Sequence, residues 1–81
     1  MKSSDKTLVI RAFWDDDARV WVATSDDVPG LATEADTLDA LVNKLQVMIP
    51  ELLYANGCAG TGEVSFKLLS ERTATAHRHA A

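Results

Sequence analysis

Carboxylates are the residues of this sequence that could most readily do chemistry. Seven of them lie in or beside the polar stretches between residues 15 and 36: Asp15, Asp16, Asp17, Asp26, Asp27, Glu34 and Asp36. A catalytic acid–base pair needs apolar surroundings that separate its two pKa values, and two-metal chemistry needs carboxylates that converge on one cavity. Three consecutive aspartates in a hairpin tip are instead typical of a solvated turn. A surface that meets a basic partner is the second interpretation, ahead of catalysis or metal binding.

The other reactive residue types lack the neighbours that their chemistry requires. His77 and His79 have no adjacent acid or thiol to complete a metal site, and Cys58 has no second cysteine or histidine beside it. The glycine-rich stretch at residues 57–62 lacks the lysine and the following helix of a phosphate-binding loop. The sequence therefore predicts a protein that is not an enzyme, with no catalytic residue, no metal and no cofactor.

Length and composition favour one small acidic domain. The chain has 81 residues, 47% of them hydrophobic, and a formal net charge of −4. Nucleic-acid binding usually requires a basic surface, so the charge favours a basic partner instead. One cysteine cannot form an internal disulfide, and no apolar run approaches the ~20 residues of a membrane span. These features predict a cytoplasmic protein without membrane association.

Hydrophobic periodicity predicts four strands and one helix. Alternating or β-branched stretches indicate strands at residues 7–14, 19–24, 31–35 and 63–69. Asp36 or Thr37 can cap the helix, and Asn56-Gly57 can end it. Its apolar residues recur at spacings of three and four, which predicts one buried stripe: Leu38, Leu41, Val42, Leu45, Met48, Ile49 and Leu52.

The element order predicts an α+β fold of the β-β-β-α-β type. The first three strands form an antiparallel meander, and a right-handed crossover through the helix places the fourth strand parallel to the first, in the order 3-2-1-4. The predicted domain covers residues 7–70. Residues 1–6 are expected to be a flexible N-terminus, and residues 71–81 a loosely ordered or disordered tail.

Two apolar surfaces remain unaccounted for in this layout. A single helix covers only one face of the sheet, although both faces of the first two strands are largely apolar. The helix also carries a second apolar stripe, opposite the buried one: Ala40, Val47, Pro50 and Tyr54. Exposed apolar area of this kind often marks an interface, so the sequence predicts a homo-oligomer; scattered surface apolar residues are the alternative.

The stretch "VWVATSDDVPGLATEADTLDAL" at residues 20–41 carries a family resemblance. Trp21 is an aromatic residue that opens the second strand, Asp27-Val28-Pro29-Gly30 is a turn, and Thr37-Leu38 begins the helix. This pattern resembles the amino-terminal domain of HicB-type antitoxins. With the first strand and the long helix, the resemblance covers roughly residues 7–69. The combination "FWDDDARVWVATSDDVPGL…EADTLDAL…IPELL…NG" resembles more closely an uncharacterised group of HicB-like single-domain proteins.

The resemblance implies a partial ribonuclease-H-like fold without ribonuclease activity. It also implies binding to, and masking of, a small basic mRNA-cleaving toxin of the HicA kind, together with self-association. The fold motif then consists of Asp27, Pro29, Gly30 and Thr37. The predicted partner-binding residues are Asp15, Asp16, Asp17, Trp21, Asp26, Asp27 and Glu34.

Nucleic-acid binding through the open sheet face is the alternative function. Clustering of Arg11, Arg19 and Lys67 on one surface would favour RNA, whereas an acidic rim around an apolar patch would favour a protein partner. HicB antitoxins usually carry a further carboxy-terminal DNA-binding segment, and only about a dozen residues follow Leu69. DNA binding by this chain alone is therefore not expected.

Overall fold

The part of the chain that the structure describes folds into one mixed sheet covered by one helix. A computed structural model describes residues 6–58, 60 and 62–79. The elements are strands β1 (Leu8–Asp15), β2 (Val20–Thr24) and β3 (Ala32–Ala35), helix α1 (Leu38–Ala55) and strand β4 (Phe66–Glu71). The sheet order is β3-β2-β1-β4, with β1 parallel to β4 and the other pairs antiparallel. The predicted α+β fold and its strand order are confirmed.

A tight turn built on Asp15 joins β1 to β2. The Asp15 carboxylate accepts hydrogen bonds from the backbone N–H groups of Asp17 and Ala18, both at 3.1 Å. Arg19 then adopts a positive φ of 61°. The left-handed conformation interrupts the extended backbone, so β2 begins at Val20 and not at Arg19 as predicted.

Thr37, and not Asp36, caps α1. The Thr37 hydroxyl accepts a hydrogen bond from the backbone N–H of Ala40 at 3.0 Å, which satisfies one of the free donors of the first turn. At the other end, the backbone N–H of Asn56 donates to the Leu52 carbonyl. Gly57 follows with a φ of 78°, the left-handed conformation that often ends helices.

The core lies between α1 and the inner face of the sheet. The fully or almost fully buried residues come from every element except β4, and from the turn before β3: Ile10, Ala12, Ala23, Val28, Leu31, Ala35, Leu41, Leu45 and Ile49. The helix packs chiefly on β3 and β2. Phe66 and Leu68 of β4 are consequently only half-buried.

Strand β4 is shifted relative to the sequence prediction, which placed it at residues 63–69. It begins at Phe66 because Phe66 pairs with Leu8, the first residue of β1. It continues to Glu71 because Glu71 pairs with Phe13, which also belongs to β1. Val64 lies outside the strand with 44% of its surface exposed. A strand needs a neighbour for its backbone hydrogen bonds, and the ladder with β1 starts at the Ser65 carbonyl, which accepts from the Leu8 N–H.

Both chain ends were predicted to be poorly ordered. Residues 1–5 and 80–81 lie outside the described residues. Residues 72–79 are exposed and contain no helix or strand.

Candidate protein-interaction surface

The face of the sheet opposite α1 is uncovered in the part of the chain that the structure describes. Ala12 and Ala23 stand opposite each other and are fully buried beneath the helix. Side chains alternate along a strand, so their neighbours Phe13 and Val22 point to the other side. Phe13 pairs with both Val22 and Glu71, and Val22 pairs with Glu34. We call this line of four residues, Glu71–Phe13–Val22–Glu34, the open-face row.

The open-face row presents two apolar side chains between two carboxylates. Phe13 is 45% exposed, and Leu69, on the adjacent line of the same face, is 43% exposed. Arg11 lies between Leu69 and Thr24 on that adjacent line. The face therefore has an apolar centre, carboxylates at the end near the β1–β2 hairpin, and a cationic group towards the other end.

The three hairpin aspartates lie at the same end of the sheet as Glu34 and Glu71, but they have different partners. Asp15 forms the turn, as described above. Asp16 accepts hydrogen bonds from the Arg19 guanidinium at 2.9 Å and from Trp14 Nε1 at 3.1 Å. Asp17 is exposed. Asp16 is thus the hairpin carboxylate that is in direct contact with a cationic group, the Arg19 guanidinium.

Trp21 lies on the opposite side of the sheet from the open-face row. Its side chain packs against the core beneath α1, and its ring meets Trp14 edge-on, with the centroids 5.4 Å apart. The guanidinium groups of Arg19 and Arg72 lie 5.3 and 4.1 Å from the centre of the Trp14 ring. Such cation–π contacts help to hold the hairpin and the start of the C-terminal segment together. The structure thus separates Trp21 from Glu34, which were predicted to share one surface.

The Asp27 carboxylate binds groups of its own chain. Its carboxylate accepts a hydrogen bond from the backbone N–H of Val9 at 2.8 Å, and Lys6 Nζ lies 3.5 Å away. The Ser25 hydroxyl donates to the Val9 carbonyl at 2.6 Å and accepts from the Asp27 N–H at 3.0 Å. Asp27 and Ser25 therefore join the start of β1 to the turn after β2, while Asp26 beside them is exposed.

These contacts lower the pKa of Asp27 below its ordinary value. The hydrogen bond from Val9 is the largest cause, and the positive charge of Lys6 acts in the same direction. Partial desolvation opposes them, because it disfavours the charged form, but the net direction is downward. Asp27 is therefore a carboxylate that stabilises the fold in its ionised form.

Asp27→Asn is expected to lower the melting temperature at neutral pH and to have a smaller effect in acid. A carboxylate with a lowered folded-state pKa stabilises the protein above its ordinary pKa, 3.8 for Asp27. This stabilisation is lost as the pH falls through the folded-state value. Asparagine keeps an oxygen that accepts from Val9 but carries no charge. Thermal melts followed by circular dichroism at about pH 7 and about pH 3 test this.

Asp26→Asn, at the exposed neighbouring position, is the matched control for the acid-sensitivity experiment. Its melting temperature is expected to follow that of the wild type at both pH values. An equal loss for Asp27→Asn at both pH values would contradict an ionised role for Asp27.

The turn before β3 is hydrogen-bonded to the end of α1. Gly30 has a φ of 86°, a conformation that glycine adopts without strain. The backbone N–H of Leu31 donates to the Val28 carbonyl at 3.1 Å, and Asn56 Nδ2 donates to the Pro29 carbonyl at 3.0 Å. Asn56 thus ties the end of the helix to the turn. From the sequence, Asn56 was predicted only to end the helix.

The predicted second stripe of α1 is only partly exposed. Tyr54 is 85% and Val47 59% exposed. Ala40 is half-buried and packs against the core, because it lies in the first turn close to the end of β3. Pro50 is exposed and borders the groove between α1 and Phe66. The exposed part of the predicted stripe therefore consists of Val47, Pro50 and Tyr54.

Among the described residues, no three His, Cys, Asp or Glu side chains lie close enough together to hold a metal ion. The predicted absence of a catalytic or metal site stays a prediction. No described helix combines the length and the apolar character needed to cross a membrane.

The fold and the open face define a small two-layer α+β domain with one uncovered sheet surface. The chain belongs to a family described as "Domain of unknown function (DUF1902)", whose model matches residues 7–79. It is also similar to the crystal structure of a hypothetical protein, TTHA1013, from the extremely thermophilic bacterium Thermus thermophilus. The identity is 54% and the TM-score 0.76, over 86% of this chain and 99% of that one. No curated protein matches the chain.

Proposed function

We propose that this chain is a non-catalytic interaction domain that binds a small basic protein through the open sheet face. A toxin of the mRNA-cleaving HicA kind is the partner that the HicB-like resemblance suggests. The observation that carries the proposal is the open-face row, in which Phe13 and Val22 lie between the carboxylates of Glu34 and Glu71. Exposed apolar side chains rimmed by charge are typical of protein-binding surfaces.

Charge supports a basic partner. The chain has twelve acidic and eight Lys or Arg residues, and Asp15, Asp17 and Glu34 are exposed at the hairpin end of the face. Complementary charge speeds encounter and selects the docked orientation, while the apolar centre supplies most of the affinity. The proposed site therefore combines an apolar contact with an acidic rim.

Co-expression is the direct test. The gene for this chain is expressed with the open reading frame beside it, provided that the latter encodes a short basic protein. We expect that protein to arrest growth alone, to be silenced by co-expression, and to co-purify with this chain. Growth arrest that co-expression does not relieve, or failure of the two proteins to co-purify, would contradict the proposal.

RNA binding is the second candidate, and one observation favours it. Arg11 and Lys67 both lie on the open face, because Arg11 pairs with Leu69 and Lys67 is two residues from Leu69 on the same strand. Arg19 does not join them, since it contacts Asp16 and Trp14 at the hairpin. Fluorescence anisotropy with single-stranded RNA distinguishes the two functions: binding that Arg11→Glu abolishes would favour RNA over a basic protein.

A further inference from the structure

Among the described residues, nothing pairs with the outer edge of β4. The backbone N–H of Leu8 donates to the Ser65 carbonyl at 3.0 Å, and Leu8 stands opposite Phe66. In a parallel ladder, this arrangement directs the backbone groups of Lys67, Leu69 and Glu71 towards β1. The backbone groups of Leu68 and Ser70, which lie between these residues, point away from the sheet. Because β4 is the last strand of the sheet order, these groups face an open edge.

Strand β4 also exposes apolar surface on both sides. Phe66 and Leu68 are half-buried on the helix side, and Leu69 is 43% exposed on the open face. Soluble proteins protect such an edge with proline, a bulge, an inward-pointing charge or charged side chains on the edge, lysine above all. Strand β4 has no proline, and its charged residues, Lys67 and Glu71, lie on the open face with Leu69. The edge therefore combines exposed apolar side chains with two opposite charges that a second strand could pair.

We propose that β4 pairs antiparallel with β4 of a second copy of this chain, about a two-fold axis at Leu69. The two four-stranded sheets would then join into one continuous sheet. In this register, Leu69 stands opposite Leu69 of the second copy, and Lys67 stands opposite Glu71 of the second copy. The symmetry repeats the ion pair, so each dimer contains two.

Charge selects this register from the alternatives. Lys67 and Glu71 are equally spaced on either side of Leu69, so only an axis at Leu69 brings the opposite charges together. The free backbone groups agree with it, because Leu68 and Ser70 of the two copies then form hydrogen-bonded pairs. Lys67 and Glu71 take the non-hydrogen-bonded positions, where facing side chains are closer. An axis at Leu68 would place Lys67 opposite Leu69 and lose both ion pairs.

In the same register, part of the exposed segment 72–79 lies beside residues of the second copy. The described chain measures 62 × 27 × 19 Å, and this segment leads away from the end of β4. Arg72 lies over Trp14, which holds the start of the segment next to the hairpin. In the dimer, residues 73–76 run beside residues 62–65 of the second copy.

The dimer is tested first with the purified full chain and no partner, by light scattering and sedimentation velocity across a concentration series. We expect the wild type to have twice the 8.8 kDa mass of the chain. Ser70→Pro removes a backbone N–H that faces the open edge of the described sheet and places a ring there. It is expected to weaken dimerisation at least 100-fold while the circular dichroism spectrum stays that of a folded protein.

Ser70→Ala keeps the backbone N–H and is the matched control, so it is expected to remain dimeric. Tyr54→Asp is the control for the helix surface and is also expected to remain dimeric. A wild-type chain that stays monomeric throughout the series overturns the proposal. A dimer that Tyr54→Asp dissociates and Ser70→Pro does not also overturns it, and then assigns self-association to the outer surface of α1.

A charge exchange tests the register itself. Lys67→Glu or Glu71→Lys alone places like charges opposite each other twice per dimer, and each is expected to weaken dimerisation roughly 10- to 30-fold. An equimolar mixture of the two variants restores opposite charges in a heterodimer, and the double variant restores them in a homodimer. If neither combination regains the wild-type affinity, the register at Leu69 is wrong.

The proposed dimer does not depend on the proposed partner. Every measurement above uses the isolated chain, so the absence of a toxin leaves the dimer test unaffected. The dimer keeps Glu34 and Phe13 of each copy on one continuous open face. Glu71 pairs with Lys67 of the second copy, so Glu34 and the exposed Asp15 and Asp17 then form the acidic rim. Two partner sites per dimer would follow from both proposals together.

Discussion

Leu45→Ala is expected to lower the free energy of unfolding by about 2–5 kcal/mol. Leu45 is fully buried at the centre of the inner stripe of α1, with Leu41 and Ile49 on either side. Removing its branched end leaves a cavity between the helix and the sheet that neighbouring side chains only partly refill. A domain of 81 residues is stable by roughly 4–12 kcal/mol, so this single change removes a large share of the total.

Val47→Ala, two residues further along the same helix, is the matched control for the Leu45 experiment. Val47 is 59% exposed, and the change is expected to alter the free energy of unfolding by less than about 0.5 kcal/mol. Urea denaturation followed by circular dichroism measures both variants. Equal losses would contradict the placement of the core between Leu45 and the sheet.

The elements and their order could be predicted because each has a local signal. The repeat of apolar residues along α1 and their alternation along β1 follow from helix and strand geometry. The crossover rule then fixes β4 beside β1. The bounds of β4 could not be predicted in this way, since they depend on where β1 begins and ends. The prediction stopped at Leu69 and so left Glu71 out of the strand.

The sequence could not decide which face of the sheet is the inner one. Both sets of alternating residues in β1 and β2 are apolar, so either set could have faced the helix. The structure places Trp21 on the inner side and Val22 on the open side. Periodicity alone does not separate two apolar faces, because the difference between them is made by a helix that is distant in sequence.

Asp27 shows a similar limit at a single residue. The resemblance made it part of the fold motif, and as one acid among many in a turn it was also predicted to meet a partner. Its carboxylate instead binds the backbone of Val9, 18 residues away along the chain. No local pattern contains that contact. By contrast, Thr37 was a predicted cap of α1, since capping involves only residues that are close in sequence.

Phe13→Ala is expected to weaken binding of the proposed basic partner by roughly 30-fold or more, the loss typical of an apolar anchor at the centre of an interface. Phe13 is the most exposed apolar side chain of the open-face row, and at 45% exposure it contributes less to the core than Ile10 or Ala12 on the same strand. The variant is therefore expected to fold. Titration calorimetry with the co-purifying partner measures the loss, and circular dichroism checks the fold.

Tyr54→Ala is the matched control for partner binding, because Tyr54 is 85% exposed on the other side of the molecule. It removes an aromatic ring of similar size, and its dissociation constant for the partner is expected to equal that of the wild type. Glu34→Lys tests the acidic rim separately: it reverses one charge at the end of the open-face row. The association rate is expected to fall and to depend less on salt, since complementary charge acts mainly on encounter. If Tyr54→Ala weakens binding and Phe13→Ala does not, the partner binds over α1, and the open sheet face is not the site.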